Sequence, residues 1–421
     1  MRERFFLIKK ILVTFLWLFI FIESLILIKN IFTGTNPSDR PKYTSSGIEK
    51  SLGELKNKNL VSFKDYSSFF TDLAEKRGAE YAFDVLKKAE INPNIDMHLL
   101  GHVVGDILFK QKGAEGITVC TDDFRNACSH SIVVGLFFRK GEGALQPIED
   151  ACRRAPGGSG AYTMCFHGLG HGIFTYSKYE LAQAISLCKK VGTSSYNYQE
   201  SNQCISGAVM EIISGGFHNR ELWQKQRPNY LKPDNPLDIC ANDLMPDLAR
   251  PLCYLYLTPY LFEVVGTDMA HPGEEDFKKA FKFCDKLPIN DFATRDVCFG
   301  GFGKEFIALL RDRDIRKSAL ENMSDEQLKK IYQWCKLSAN KDGTRSCMLY
   351  AMNSLYWGGE NNRNLSIRYC NLISDKDNQD SCFNNLIGAV DFYIKDNQYK
   401  RDFCTEIPQR FVNDCKAKLK I

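Results

Sequence analysis

The chain has 421 residues, of which 44% are apolar and 25% charged, a composition that excludes disordered and collagen-like proteins and is sufficient for a large core. Its 55 Lys and Arg against 51 Asp and Glu leave a net charge of +4. This argues against nucleic-acid binding, which needs a clustered positive face. The unusual feature of the composition is the set of 16 Cys residues.

The N-terminal segment is typical of a membrane anchor. Residues 11–28 read ILVTFLWLFIFIESLILI and follow four basic residues, Arg2, Arg4, Lys9 and Lys10. A long apolar run with basic residues before it inserts with its N-terminus in the cytoplasm. A cleaved signal peptide is the alternative, but the run is long for one and no small-x-small cleavage pattern follows. We predict a single-pass protein with three regions: a cytoplasmic tip and transmembrane signal anchor over 1–30, a polar linker over 31–60, and an extracytoplasmic domain over 61–421.

Two segments before the first Cys have helical character, at about 63–90 and 96–110. They predict a helix hairpin that has no disulfide. No stretch of alternating apolar and polar residues indicates a sheet.

The Cys residues divide the rest of the chain into repeats. Steps of 33 to 49 residues separate the second Cys of successive couples, the period of helix-hairpin repeats. This predicts an all-α array of antiparallel hairpins, α-solenoid or α/α-toroid-like. The couples are Cys120 with Cys128, Cys152 with Cys165, Cys188 with Cys204, Cys240 with Cys253, Cys284 with Cys298, Cys335 with Cys347, Cys370 with Cys382, and Cys404 with Cys415.

Each couple is predicted to form a local disulfide between two helices. An amphipathic stretch ends at the first Cys, as in FKKAFKFC ending at Cys284, and an apolar stretch begins at the second, as in CFGGFGKEF from Cys298. Zinc binding is the alternative use of so many Cys residues. However, none stands in a C-x2-C spacing, and an even number in an exported chain favours disulfides.

Five of the seven His residues fall in one register. His167 and His171 stand two and six residues after Cys165, and His130 stands two after Cys128. The pair His98 and His102 stands at the same distances from Asp96, which occupies the place of the missing Cys. Since a helix turns about 100° per residue, these positions share a face that points away from the disulfide.

This register predicts a metal site, because imidazoles one helical turn apart can bind one ion. Two arrangements remain open: one compact site with one or two ions, or a site in which His130 completes only one pair. The spacing does not choose among zinc, iron, copper and manganese. The candidate ligands are the five imidazoles and a carboxylate one turn beyond His102: His98, His102, His130, His167, His171 and Asp106.

Other polar residues are placed outside the predicted site. His218 and His271 stand in loop-like stretches. Glu211 and Glu305 each stand seven residues after a second Cys, which predicts that they lie on the Cys side of their helices, away from the His face. There a buried ion pair or a solvated edge is favoured over metal ligation.

Two functions of different classes follow. The first is a membrane-anchored extracytoplasmic metalloprotein, with metal-dependent hydrolysis and oxidation both open and no catalytic residue assigned. The alternative is a non-catalytic interaction scaffold that binds a protein, peptide or glycan on a concave face. The expected partners are the membrane, through the N-terminal helix, and an extracytoplasmic protein or glycan, but not nucleic acid.

Overall fold

The computed structural model describes residues 44–421 except 93–94, 122, 157, 194–198, 216–218, 270, 311–322, 359–362 and 395. The predicted membrane anchor, 11–28, lies outside the described residues. Among the helices that are described, none combines the length and apolar character needed to cross a membrane. Residues 51–421 form one compact unit.

The described residues form helices joined by turns, without a strand, as the all-α prediction requires. Short 3-10 helices follow α4 and α5, at Gly113–Thr118 and Gly141–Ala144. The α-helices are α1 Ser45–Asn57, α2 Phe63–Arg77, α3 Ala79–Lys88, α4 Met97–Lys112, α5 Asp123–Lys140, α6 Leu145–Arg153, α7 Gly158–Tyr176, α8 Leu181–Cys188, α9 Gln199–Ser214, α10 Arg220–Tyr230, α11 Asp238–Ala241, α12 Arg250–Val265, α13 Glu274–Asp285, α14 Phe292–Leu310, α15 Asp325–Cys335, α16 Lys341–Gly358, α17 Arg363–Asn371, α18 Lys376–Tyr393, α19 Asn397–Glu406 and α20 Gln409–Leu419.

The segments before the first disulfide differ in detail from the prediction. Helix α1 lies within 31–60, the range predicted to be a polar linker. The segment 63–90 is two helices rather than one, because Gly78 adopts a φ of +94° between them, a backbone conformation that favours glycine. Helix α4 begins where predicted, since the Asp96 carboxylate accepts a hydrogen bond from the Leu99 amide and caps its first turn.

All eight predicted disulfides are present, with Cα–Cα separations between 5.4 and 5.8 Å. No Cys among the described residues is free, so the zinc alternative for these side chains is wrong. The bonds join Cys120 to Cys128, Cys152 to Cys165, Cys188 to Cys204, Cys240 to Cys253, Cys284 to Cys298, Cys335 to Cys347, Cys370 to Cys382, and Cys404 to Cys415.

The helices that carry the second Cys of each couple form a continuous series. We call such a helix a B helix. We include α4, because Asp96, the residue before its first turn, stands at the position that the second Cys of a couple occupies elsewhere. Each B helix packs against the next along the chain, in the order α4, α5, α7, α9, α12, α14, α16, α18 and α20. The fold is therefore a stack of hairpins with consecutive B helices in contact.

A second device joins the two helices of a hairpin besides the disulfide. Arg295, three residues before Cys298, donates from Nη1 to the carbonyls of Cys284, Asp285 and Leu287 at 2.8 to 3.2 Å. Gln379, three residues before Cys382, donates from Nε2 to three carbonyls in the corresponding places. These bonds satisfy carbonyls that the end of a helix leaves without a partner.

The B helices approach to backbone contact at glycines. A Cβ on Gly170 of α7 would lie 1.9 Å from the carbonyl oxygen of Cys204 on α9. A Cβ on Gly303 of α14 would lie 2.0 Å from the carbonyl oxygen of Cys347 on α16. Both glycines stand five residues after the second Cys of a couple, so the same close crossing is built twice.

Candidate metal centre

Three consecutive B helices, α4, α5 and α7, gather the five predicted imidazoles around His130. The ring centroid of His130 lies 5.9 and 6.0 Å from those of His98 and His102 on one side. It lies 6.0 and 5.8 Å from those of His167 and His171 on the other. The helices thus curve enough for both outer pairs to reach the middle ring.

The room for His130 comes from a glycine on the next helix. A Cβ on Gly168 would lie 2.3 Å from Cδ2 of the His130 ring and 2.9 Å from its Cα. No real Cβ tolerates such a contact, so any other residue at this position would displace the ring or the helix. Gly168 therefore lets α7 pack directly on the His130 ring.

The tightest group is formed by His98, His102 and His130, whose ligand nitrogens all lie within 4.8 Å of one another. Within it, the Nε2 atoms of His98 and His102 are 3.1 Å apart. The His130 side chain is buried, with 2% of its surface exposed, and His102 is nearly as buried. A group of this kind could hold a metal ion.

Hydrogen bonds hold both rings of the first pair. Nδ1 of His98 lies 2.6 Å from the Phe124 carbonyl oxygen, which can only accept, so Nδ1 carries the proton. The Ser131 hydroxyl lies 3.1 Å from the His102 carbonyl oxygen and 3.0 Å from Nδ1 of His102, and its single proton can go to only one of them. When it goes to the carbonyl oxygen, His102 is protonated at Nδ1 and both rings present a lone pair at Nε2.

In that tautomer the two Nε2 lone pairs, 3.1 Å apart, face each other and could bind one ion. In the other tautomer Nε2 of His102 carries the proton and donates it to Nε2 of His98. The carbonyl and hydroxyl behind the rings are the kind of second-shell partner that orients metal-bound imidazoles.

His130 is buried without hydrogen bonds: neither of its ring nitrogens has a hydrogen-bond partner among the described residues. Burial lowers the pKa of His130 well below its usual value, and charge on His171, His98, His167 or His102 would lower it further. His130 is therefore neutral near pH 7, the form that binds a metal.

The second pair is also held by hydrogen bonds at Nδ1. The Ser206 hydroxyl lies 2.8 Å from the Gln203 carbonyl oxygen and is hydrogen-bonded to Nδ1 of His167 at 3.0 Å. Nδ1 of His171 donates to the Glu211 carboxylate at 2.9 Å. Burial holds the pKa of His167 well below its usual value, and the neighbouring His171 and Lys304 act in the same direction. Nε2 of His167 faces the Sδ of Met210 at 3.4 Å.

Glu211 is buried and paired, which is one of the two arrangements predicted for it. Its carboxylate contacts the His cluster through His171 of the neighbouring helix α7. The prediction considered Glu211 only on its own helix, α9, and so did not anticipate this partner. Glu305, in the same register on α14, is also buried and forms an ion pair with Lys304.

The tight group does not include Asp106 or His271. Asp106 is partly exposed and is not among the side chains whose ligand atoms meet within 4.8 Å. His271 is exposed and pairs with Asp268, and His218 lies outside the described residues.

Sequence reasoning assigned no role to Ser131, Ser206 or Met210. Ser206 and Met210 stand two and six residues after Cys204, the positions that carry His on α7. The repeat register was thus the signal that could have identified them.

No family model, curated protein or solved structure matches the chain. Evidence about the site therefore comes from its geometry.

Proposed function

We propose that the protein is a membrane-anchored extracytoplasmic metalloprotein that binds a divalent transition metal through His98, His102 and His130. The observation that carries the proposal is the convergence of ring nitrogens of His98, His102 and His130 within 4.8 Å of one another, with the Nε2 atoms of His98 and His102 3.1 Å apart. The buried His130 ring, whose nitrogens have no hydrogen-bond partner among the described residues, supplies the third ligand.

Three imidazoles are the ligand set of a reactive site rather than of a closed structural one. Structural zinc sites use four protein ligands, whereas catalytic sites use three and leave a position for water or substrate. An ion held by these rings would supply Lewis acidity or an activated water for hydrolysis, or a binding position for oxygen if it is redox-active. The protein orients the His98 and His102 rings through the Phe124 backbone carbonyl and the Ser131 hydroxyl, and it keeps the ligands in a buried environment.

The location follows from two features of different kinds. Eight disulfides are typical of a protein that matures in an oxidising compartment outside the cytoplasm. The apolar run at 11–28, with its basic residues before it, supports an anchor whose N-terminus stays in the cytoplasm.

Metal analysis of the full chain tests the proposal. The protein is produced in an oxidising compartment, purified in detergent without a His tag, stripped with a chelator, and offered zinc, iron, copper and manganese in turn. We expect tight binding of at least one of these metals, and at least a hundredfold weaker binding at this site in His98→Gln/His102→Gln, which removes two of its three ligands.

The matched control is His271→Ala, which removes an exposed imidazole outside the cluster and should leave metal binding unchanged. Far-UV circular dichroism and disulfide mapping establish that each variant is folded. A folded wild-type chain that binds none of the four metals would contradict the proposal and favour the interaction scaffold. Equal binding by wild type and His98→Gln/His102→Gln would contradict the ligand assignment.

A further inference from the structure

The second imidazole pair ends in a contact between a ring nitrogen and a thioether. Nε2 of His167 lies 3.4 Å from the Met210 thioether sulfur, which can only accept a hydrogen bond. The Ser206 hydroxyl lies 2.8 Å from the Gln203 carbonyl oxygen and 3.0 Å from Nδ1 of His167. When the hydroxyl donates to the carbonyl oxygen, Nδ1 carries the ring proton, and the Nε2 lone pair and the sulfur face each other as two metal donors.

His130 connects this contact to the first group. When one of its nitrogens binds the ion at His98 and His102, the other remains buried and has no partner among the described residues. Its ring centroid is 6.0 Å from that of His167 and 5.8 Å from that of His171. A buried polar atom without a partner is unfavourable, and a second ion on this side would supply the missing interaction.

We propose that the cluster has a second metal position, formed by His167, Met210 and the second ring nitrogen of His130, and that it takes copper. His171 flanks it, oriented by the Glu211 carboxylate, as second-shell carboxylates orient metal-bound imidazoles. This inference adds to the proposed function and shares His130 with it. When both ions are bound, His130 contributes one nitrogen to each, and its ring proton passes to the solvent.

The donor set distinguishes this position from the first. Imidazole serves many metals, whereas a thioether is a soft donor that selects Cu(I) and also acts as the weak axial ligand in Cu(II) sites. Met210 is part-exposed, so an ion can reach the sulfur from the surface. Lys304, the nearby cation that lowers the pKa of His167, is paired with the Glu305 carboxylate, which offsets its repulsion of a metal.

Copper titration of the metal-free full chain tests the second position. We expect two equivalents of copper in wild type and a copper–sulfur contribution in the X-ray absorption spectrum. Met210→Leu conserves volume and removes the sulfur. It should abolish the copper–sulfur contribution and weaken binding of one equivalent at least tenfold, while the other equivalent is retained. Met348→Leu, a buried Met on α16, is the control and should behave as wild type.

The outcomes separate this inference from the proposed function. One equivalent, lost in His98→Gln/His102→Gln and unaffected by Met210→Leu, overturns the second position and leaves the first. One equivalent, lost in Met210→Leu but not in the double variant, supports the second position and shows that the first does not take copper; the titrations with zinc, iron and manganese then decide the first. Two equivalents without a copper–sulfur contribution would overturn the role of Met210, and no bound copper would overturn the copper site.

Discussion

Two helix pairs of the array, α7 with α9 and α14 with α16, share one packing device and differ in what it supports. In both, a glycine five residues after the second Cys meets a carbonyl oxygen of the next B helix at a distance that excludes a Cβ. In the first pair the positions two and six after Cys165 are His167 and His171, whereas after Cys298 they are Gly300 and Lys304.

The residues packed around these positions differ accordingly. A Cβ on Gly300 would lie 2.4 Å from the Tyr350 ring, so an aromatic side chain occupies the space next to α14. Glu211 and Glu305 share a register, yet the first accepts a hydrogen bond from His171 and the second pairs with Lys304. Both helix pairs have the disulfide and the close crossing, so these features belong to the scaffold. The His face occurs only in the N-terminal pair and is an addition to that scaffold.

The largest effect should come from the shared device. Gly170→Ala and Gly303→Ala each force a Cβ against backbone, which cannot move aside as a side chain can, and we expect each to lower the free energy of unfolding by about 3 kcal/mol. Urea unfolding of the metal-free protein measures this. Only Gly170→Ala should also weaken metal binding.

Gly53→Ala is the matched control, because nothing lies within 4 Å of its Cβ, and it should leave stability unchanged or slightly raised. If Gly303→Ala weakened metal binding as much as Gly170→Ala, scaffold and site would not be separable.

A smaller effect should appear in the pH dependence of the metal-free protein. The folded-state pKa values of His130 and His167 are lowered, so the unfolded chain binds more protons once the pH falls below about 6.5. Stability should therefore decrease from pH 6.5 downwards, by about 1.4 kcal/mol per pH unit for each ring that remains neutral. The decrease should end below the folded-state pKa values.

Urea midpoints at pH 5.0 and 7.5, with a chelator present, measure the slope. His130→Gln/His167→Gln removes both titrating rings and should flatten it. An equal slope in wild type and this variant would show that the N-terminal cluster does not cause the pH dependence.

The smallest effect should come from the hydroxyls behind the rings. Ser131→Ala removes the hydroxyl that is hydrogen-bonded to His102, and we expect metal affinity at His98, His102 and His130 to fall about tenfold. Ser346→Ala removes a hydroxyl that binds Asp296 between α14 and α16 and should leave affinity unchanged. Competition with a chromophoric chelator measures both, and equal affinities would show that Ser131 does not position the ring.

Most of the fold could be predicted from the Cys spacing. The couples identified all eight disulfides, because the two Cys of a couple stand 8 to 16 residues apart and close on one hairpin. The break at Gly78 and the helix Ser45–Asn57 were missed because no Cys marks those segments.

The site could be predicted only in its main ligands. The register placed five imidazoles on one face because repeats fix the direction in which a position points. It could not place Glu211, Ser131 or Met210 against those rings, because their contacts run between neighbouring helices. Such contacts depend on how closely the helices cross, a distance that glycines such as Gly168 and Gly170 determine.

The most direct test of the metal centre is anomalous diffraction from a crystal of the metal-loaded protein, recorded at the absorption edge of the bound metal. If these three residues bind the metal, we expect a peak about 2.0–2.1 Å from Nε2 of His98, Nε2 of His102 and one ring nitrogen of His130. A loaded protein whose only anomalous peaks lie away from these three rings would contradict it.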